Sequence, residues 1–310
     1  VLGKPMKEPQ DVPFEKEGQY LKSDNRSNIS YFLEHNVLLR RFTLSVGVLA
    51  NYNSALNEGI HFYPGIDASY RIGDNFRLYG SWNRALRMPT FTDLYYEGKT
   101  NKGNPDLKPE ESEAFEVGLK YNTYFLRAHI AGFYRKGKNM IDWVKEKPED
   151  IWESQNLTKV DNLGFETNLS LLPRELGNER FFIRKIELGY AFIHQDKDSE
   201  GYISNYALDY LKHKFTAQLS HSIWKGFSAT WYVRWQDRAG SYTKYENLKP
   251  AYEEPYAPYC LVDMKVNWEY QRLNLYAELN NLLNSTYYDL GNIPQPGIWF
   301  KAGFRYSFKY

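Results

Sequence analysis

Apolar and polar residues alternate one for one along most of this chain, and the alternating runs are joined in turn by a tight turn and by a long polar stretch. Cys260, Val262, Met264, Val266, Trp268 and Tyr270 share one parity, against Leu261, Asp263, Lys265, Asn267 and Glu269 on the other. Past a turn near Gln271, Leu273, Leu275, Ala277 and Leu279 oppose Arg272, Asn274, Tyr276, Glu278 and Asn280. The same reading separates Phe227, Ala229, Trp231, Val233 and Trp235 from Ser228, Thr230, Tyr232, Arg234 and Gln236, and Phe115, Val117, Leu119 and Tyr121 from Glu116, Gly118 and Lys120. A period of two puts successive side chains on opposite faces of a strand, so each run predicts a strand with one apolar and one polar face. The final run carries Phe300, Ala302, Phe304, Tyr306, Phe308 and Tyr310 on one face up to the terminus.

Thirteen strands are expected, at about 28–39, 41–52, 62–72, 75–87, 111–122, 124–145, 151–172, 181–196, 208–222, 225–240, 257–269, 272–284 and 297–309. Short turns fall at 39–41, 73–75, 122–123, 173–180, 223–226 and 270–272, and the long connections between them include 88–110, 197–207, 241–256 and 285–296. Short connections on one rim and long ones on the other are the pattern of a transmembrane barrel. Several strands exceed the roughly 9–11 residues that cross a bilayer, so their ends should project on the long-loop side as a collar.

Composition agrees with this pattern. The 27 Tyr, 18 Phe and 8 Trp bring aromatics to 17%, hydrophobic residues reach only 42%, and mean hydropathy is -0.65. No run approaches the roughly 20 apolar residues of a spanning helix, whereas a barrel needs apolar residues only at alternate positions. The net charge of +1 and the lack of a long basic run argue against nucleic acid as a partner. Cys260 is the single cysteine and reads as a small apolar strand residue. The opening VLGKPMKEPQ is not a signal peptide, so an exported barrel would have lost its leader or continue upstream.

The segment 76–121, FRLYGSWNRALRMPTFTDLYYEGKTNKGNPDLKPEESEAFEVGLKY, resembles the central barrel signature of TonB-dependent receptors. The matching positions are Arg87, Pro89, Leu94, Tyr95, Gly103, Asn104, Pro105, Leu107, Pro109, Glu110, Glu116 and Gly118. Asn162, Gly164 and Glu166 in VDNLGFETNL match further, as do Asn281, Asn284 and Tyr288 in ELNNLLNSTYYD. The closing aromatics Phe304, Tyr306, Phe308 and Tyr310 resemble an outer-membrane assembly signal. The resemblance implies an all-β transmembrane antiparallel barrel of 22 strands in the bacterial outer membrane. This chain would supply about the last thirteen, with residues 28–310 as barrel and 1–27 as an outer loop or the remnant of a preceding strand.

The odd strand count points the same way, because single-chain bacterial barrels have even numbers. Residues 11–27 hold only a weak strand candidate, GQYLKSDN. The resemblance further implies an N-terminal plug and a box engaging a TonB-type energy transducer, neither of which has a counterpart in these residues. It also implies outer-membrane lipid, a small-molecule nutrient and a surface lipoprotein as partners, with no cofactor, metal or covalent chemistry.

Ligand contact is expected from loop aromatics and a cation: Arg87, Phe91, Tyr95, Tyr96, Trp143, Trp152, Tyr242, Tyr245 and Tyr287. Amphipathic rings give large contact area at low entropy cost. Each could equally serve an interfacial belt or collar packing. Pro105, Pro109 and Gly103 equally suit a loop re-entering a strand. Glu116 and Glu166 should face the lumen. Compact loops and the MPTFTDLYYEG stretch look most like vitamin B12 receptors, with siderophore or haem receptors next. A passive porin and an outer-membrane hydrolase are the alternatives of other classes. Against the hydrolase, His35, His61, His129, His194, His213 and His221 are scattered, and no Gly-x-Ser-x-Gly occurs.

Overall fold

The computed structural model describes residues 25–55, 59–147, 149–177, 180–198, 201–204, 210–246, 249–291 and 293–308. The weak candidate strand before residue 25 and Tyr310 lie outside them. The strands of the main sheet are β1 (Asn28–Leu38), β2 (Phe42–Asn53), β3 (Ile60–Ile72), β4 (Phe76–Arg87), β5 (Glu110–Asn122), β6 (Leu126–Lys145), β7 (Trp152–Leu171), β8 (Ile183–Asp198), β9 (Leu211–Trp224), β10 (Phe227–Arg238), β11 (Tyr259–Tyr270), β12 (Leu273–Asn280) and β13 (Trp299–Tyr306). They form one antiparallel meander in chain order, each strand bonded to the next. The thirteen expected strands are therefore the thirteen observed. Two further strands, Asn101–Lys102 and Ile203–Ser204, pair at the long-loop rim with β7 and β6.

The register places the two faces as their parity requires. One row runs Leu78, Leu119, Ile130, Thr167, Tyr190, Phe215, Trp235 and Cys260 across β4 to β11. The row on the opposite face runs Tyr79, Gly118, Ala131, Glu166, Ala191, Lys214, Gln236 and Tyr259. The first face exposes large apolar groups throughout, Leu78 at 45%, Ile130 at 52% and Phe304 at 74% among them. A continuous surface of this kind belongs against lipid, and the polar face against a water-filled lumen.

Three luminal glycines are explained by their cross-strand partners. Tyr79 lies opposite Gly118, Phe133 opposite Gly164 and Tyr276 opposite Gly303. A Cβ on any of the three would stand 2.5 Å from the facing side chain, and at Gly164 it would also meet Phe192 O at 2.4 Å. Each aromatic therefore folds flat over its glycine. Tyr79 uses the space to donate its hydroxyl to Glu116 at 2.8 Å and to reach His129 Nε2 at 2.7 Å, while Glu166 stands 3.8 Å from His129 Nδ1. The Glu-x-Gly pair of the motif is thus one device, with a ring over the glycine and bonded to the carboxylate. We expect Gly118→Val to reduce the yield of folded full-length protein sharply and Gly118→Val with Tyr79→Ala to recover much of it, read as the heat-resistant band on a gel. Failure of the double variant to recover would mean that the ring is not the obstruction.

Most strand ends shift by a few residues from the sequence reading, and three departures bear on the rims and the terminus. β12 stops at Asn280 instead of running to 284, because Asn281 and Asn284 adopt left-handed backbone, at φ 51° and 49°. The Asn281 side chain ties that turn to Ser285 and to Pro296 O. β13 ends at Tyr306, so Phe308 lies beyond the strand, 79% exposed. Connection 241–256 is a hairpin of Ser241–Glu246 with Lys249–Pro255, which an irregular polar stretch did not reveal.

Candidate functional site at the long-loop rim

β6 and β7 are 20 residues each, about twice what the bilayer requires, and their outer halves form the collar. Val144, Leu157 and Val160 make a small buried core there, with Met140 and Tyr202 packed on it. Against this collar the connection between β4 and β5 folds into a locked loop.

The lock is built from the motif residues. Thr90 and Asp93 form a reciprocal capping box at the start of the helix Phe91–Tyr95, each side chain accepting from the other's backbone N–H. Arg87 closes the loop base by a two-pronged bond to Glu110, 2.6 Å on each branch, with Asp93 3.7 Å away. Glu110 is 7% exposed and also accepts from Ile141 N–H of β6 at 2.8 Å. A carboxylate so placed joins β4, β5 and β6 at one point.

Downstream, Gly103 N–H donates to Tyr96 O at 2.6 Å and Asn104 N–H to Asp93 O at 2.9 Å. A Cβ on Gly103 would sit 2.8 Å from three backbone atoms of residues 94–96, so only glycine fits that crossing. Leu94 and Leu107 are buried, Pro89 is buried and accepts from Arg26, and Pro105 is exposed at the loop tip. Pro109 directly precedes β5. Asn156 of β7 clamps the same segment, accepting from Lys108 N–H and donating to Lys108 O and Asn139 O. Nothing in the sequence singled out Asn156. The Thr-x-x-Asp cap was there to be read.

The candidate ligand residues divide between two parts of the rim. Around the helix, Phe91 stacks on Tyr95 at 6.4 Å, Arg26 lies 4.9 Å over Phe91, and Tyr96, 48% exposed, meets Trp143 edge-on at 6.2 Å. Trp152 carries Lys145 over its ring at 4.5 Å, and its backbone N–H donates to Thr100 O. On the far connections Tyr242, 7% exposed, packs between Tyr256 and Tyr288 at 5.2 Å from each. Burial there pushes its phenol above the usual range. Tyr287 lies 4.6 Å from Tyr259. Tyr245 is 53% exposed on the hairpin. Arg238, which the sequence reading missed, lies 5.5 Å over Tyr256 and helps to hold this second group. Among the described residues no cluster of three or more His, Cys, Asp or Glu is arranged to hold a metal.

Comparison with known proteins fits this geometry. A family model described as TonB dependent receptor-like, beta-barrel matches residues 7–282. The vitamin B12 transporter BtuB of Vibrio vulnificus (strain YJ016) is 26% identical over 225 residues, covering 54% of this chain and 36% of that protein. The ferrienterobactin receptor of Escherichia coli (strain K12) is 22% identical over 297 residues, covering 86% of this chain and 38% of the relative. A solved mutant of the ferric enterobactin receptor from Pseudomonas aeruginosa superposes with a TM-score of 0.72 at 19% identity, over 98% of this chain and 48% of that one. The chain thus spans about a third of the length of the curated relatives and about half of the solved chain. With thirteen meandering strands, an apolar outer face and the locked loop, it belongs to the TonB-dependent receptor-like β-barrel family of the bacterial outer membrane.

Proposed function

We propose that this chain is the C-terminal barrel portion of a receptor that takes up a scarce, bulky nutrient by energy-coupled transport, with cobalamin as the first ligand class. The observation that carries the reading is the Arg87–Glu110 lock, which closes the base of the loop bearing Phe91, Tyr95 and Tyr96 and seats it at the outer rim beside Trp143 of β6. Rigid aromatic groups offer ligand contact at little ordering cost. Likeness to a vitamin B12 transporter supports cobalamin, and likeness to a ferrienterobactin receptor supports an iron chelate as the second reading. Outer-membrane lipid, a TonB-type transducer acting through segments outside this chain and a surface lipoprotein are the partners that go with this function; Glu116 and Glu166 would meet the plug.

The test is cyanocobalamin binding by the full-length protein in outer-membrane vesicles. Nanomolar affinity is expected in the wild type, and roughly tenfold weaker binding for Tyr95→Ala or Tyr96→Ala. Unchanged affinity would remove those rings from the site. Binding of ferric enterobactin alone would move the ligand to the iron-chelate class.

A further inference from the structure

Along the short-loop rim the luminal face carries a row of cations on successive strands. Arg71 of β3 stands opposite Arg77 of β4, and Arg77 opposite Lys120 of β5. Arg41, the residue before β2, extends the row, its carbonyl accepting from Arg71 N–H at 2.7 Å. Beyond Lys120 the row continues as His129, Asn168 and Gly189, so it holds no carboxylate from β2 to β8. Arg127 of β6 adds a fifth cation one rung nearer the turn, opposite Asn122. All five are exposed. Neighbouring strands lie about 4.8 Å apart, so the cations from Arg41 to Lys120 span about 14 Å.

Like charges directly opposite each other destabilise a strand pair, and elsewhere on this face cations are matched. Lys265 and Lys301 share Glu278 at 2.7 and 2.5 Å, and Lys185 meets Glu187 at 2.8 Å. The row has no such match. None of its five cations forms an ion pair with a described residue, and Lys120 lies over the Tyr79 ring at 4.7 Å. The carboxylates of the surrounding wall are engaged or distant. Glu34 of β1 accepts from Asn36 and Ser45, Glu116 accepts from Tyr79, and Glu166 stands beside His129. Asp67 is four residues from Arg71 along β3, roughly 13 Å away. Asp74, exposed in the turn between β3 and β4, is one carboxylate against five cations.

Parity excludes lipid headgroups as the counter-charge, because Tyr70, Leu78 and Leu119 occupy the opposite face of the same strands. A small anion is a poor match as well. Small ligands bind in concave sites that enclose most of their surface, and this row lies open on the wall. A polypeptide surface can set several carboxylates along the row at once, and the lumen of a 22-stranded barrel is filled by polypeptide. This chain covers 48% of the solved ferric enterobactin receptor mutant, which leaves about as much polypeptide again in such a protein to do so.

We propose that the row from Arg41 to Lys120, with Arg127, is an ionic seat for an acidic segment of the polypeptide that fills the lumen, contributed by the part of the protein outside this chain. The seat rests on the receptor reading and adds to it the sign and the place of one contact. Carboxylates of that segment meet the wall at the short-loop rim of β2 to β6, and the mutual repulsion of the cations is relieved only when the segment is in place.

A zero-length carbodiimide cross-linker joins a lysine amine to a carboxylate in direct contact. Applied to the full-length protein in outer-membrane vesicles, with linked peptides identified by mass spectrometry, it tests the seat. Lys120 is expected to join an Asp or Glu outside these 310 residues. Arg71→Gln with Arg77→Gln should cut that cross-link severalfold and raise ion conductance in planar bilayers. The heat-resistant band should stay, since the wall loses only mutual repulsion. At about 1 M salt, where the screening length is about 3 Å, the cross-link should fall likewise. Lys120 joined only to Asp67, Asp74, Glu116 or Glu166 means that the row is neutralised within the barrel wall, and overturns the seat. So does a cross-link to another protein, no cross-link at all, or conductance that the double variant leaves unmoved. Loss of the heat-resistant band in the double variant overturns it too, since the cations would then serve the wall itself. All of these leave import standing, because ligand binding is measured separately, whereas a wild-type lumen that conducts freely removes the receptor reading itself.

Discussion

Expressed alone in membranes, this 310-residue chain is expected to yield no heat-resistant monomeric barrel. β1 and β13 end the described sheet, and neither pairs with the other or with any further strand among the described residues. In hydrocarbon each unpaired backbone group costs several kcal/mol, so two open edges over 11 and 8 residues would cost on the order of tens of kcal/mol. No packing within the sheet offsets a penalty of that size. The edges must be covered by strands outside these thirteen, supplied by the same protein or by another copy. Gel mobility of unheated samples is the measurement. A compact band that shifts on boiling, at the mass of one chain, would show that thirteen strands close on themselves.

The second large effect is expected at Gly103. Alanine there puts a Cβ 2.8 Å from Leu94 C, Tyr95 N and Tyr96 N, and those are backbone atoms that cannot swing aside. The helix Phe91–Tyr95 has to move off its seat, taking the 2.6 Å Gly103–Tyr96 bond with it. A local cost of about 1–3 kcal/mol follows from overpacking of this kind. The barrel strands below are untouched, so the heat-resistant band of the full-length protein should persist. What should change is the rim: faster proteolytic nicking between residues 88 and 109 and ligand affinity reduced at least as much as by Tyr96→Ala. A loop that resists protease as well as the wild type would mean that the crossing has room to spare.

How far the sequence could be read depended on how local each signal is. The strand pattern is carried by neighbouring residues, so parity alone separated the lipid face of β11, Cys260 to Tyr270, from the luminal face of Asp263 and Lys265. Resemblance located the loop motif but not its working parts. Arg87 stood out as a ligand cation, whereas its guanidinium is bonded twice to Glu110, a residue 23 positions away. Tyr242 and Tyr245 looked alike in a polar stretch, yet one is 7% and the other 53% exposed, because the hairpin puts Tyr242 between Tyr256 and Tyr288.

By itself, then, the sequence determined the strand number, the two faces, the rim asymmetry and the family, all of which follow from a period of two and from short ordered motifs. Tertiary structure alone decided the lock at Glu110, the rings laid over Gly118, Gly164 and Gly303 and the turn that ends β12 at Asn281. Each of these depends on which atoms from distant strands come within a few ångströms of one another. That distance is set by register, twist and the room a missing Cβ leaves, and no run of neighbouring residues encodes it.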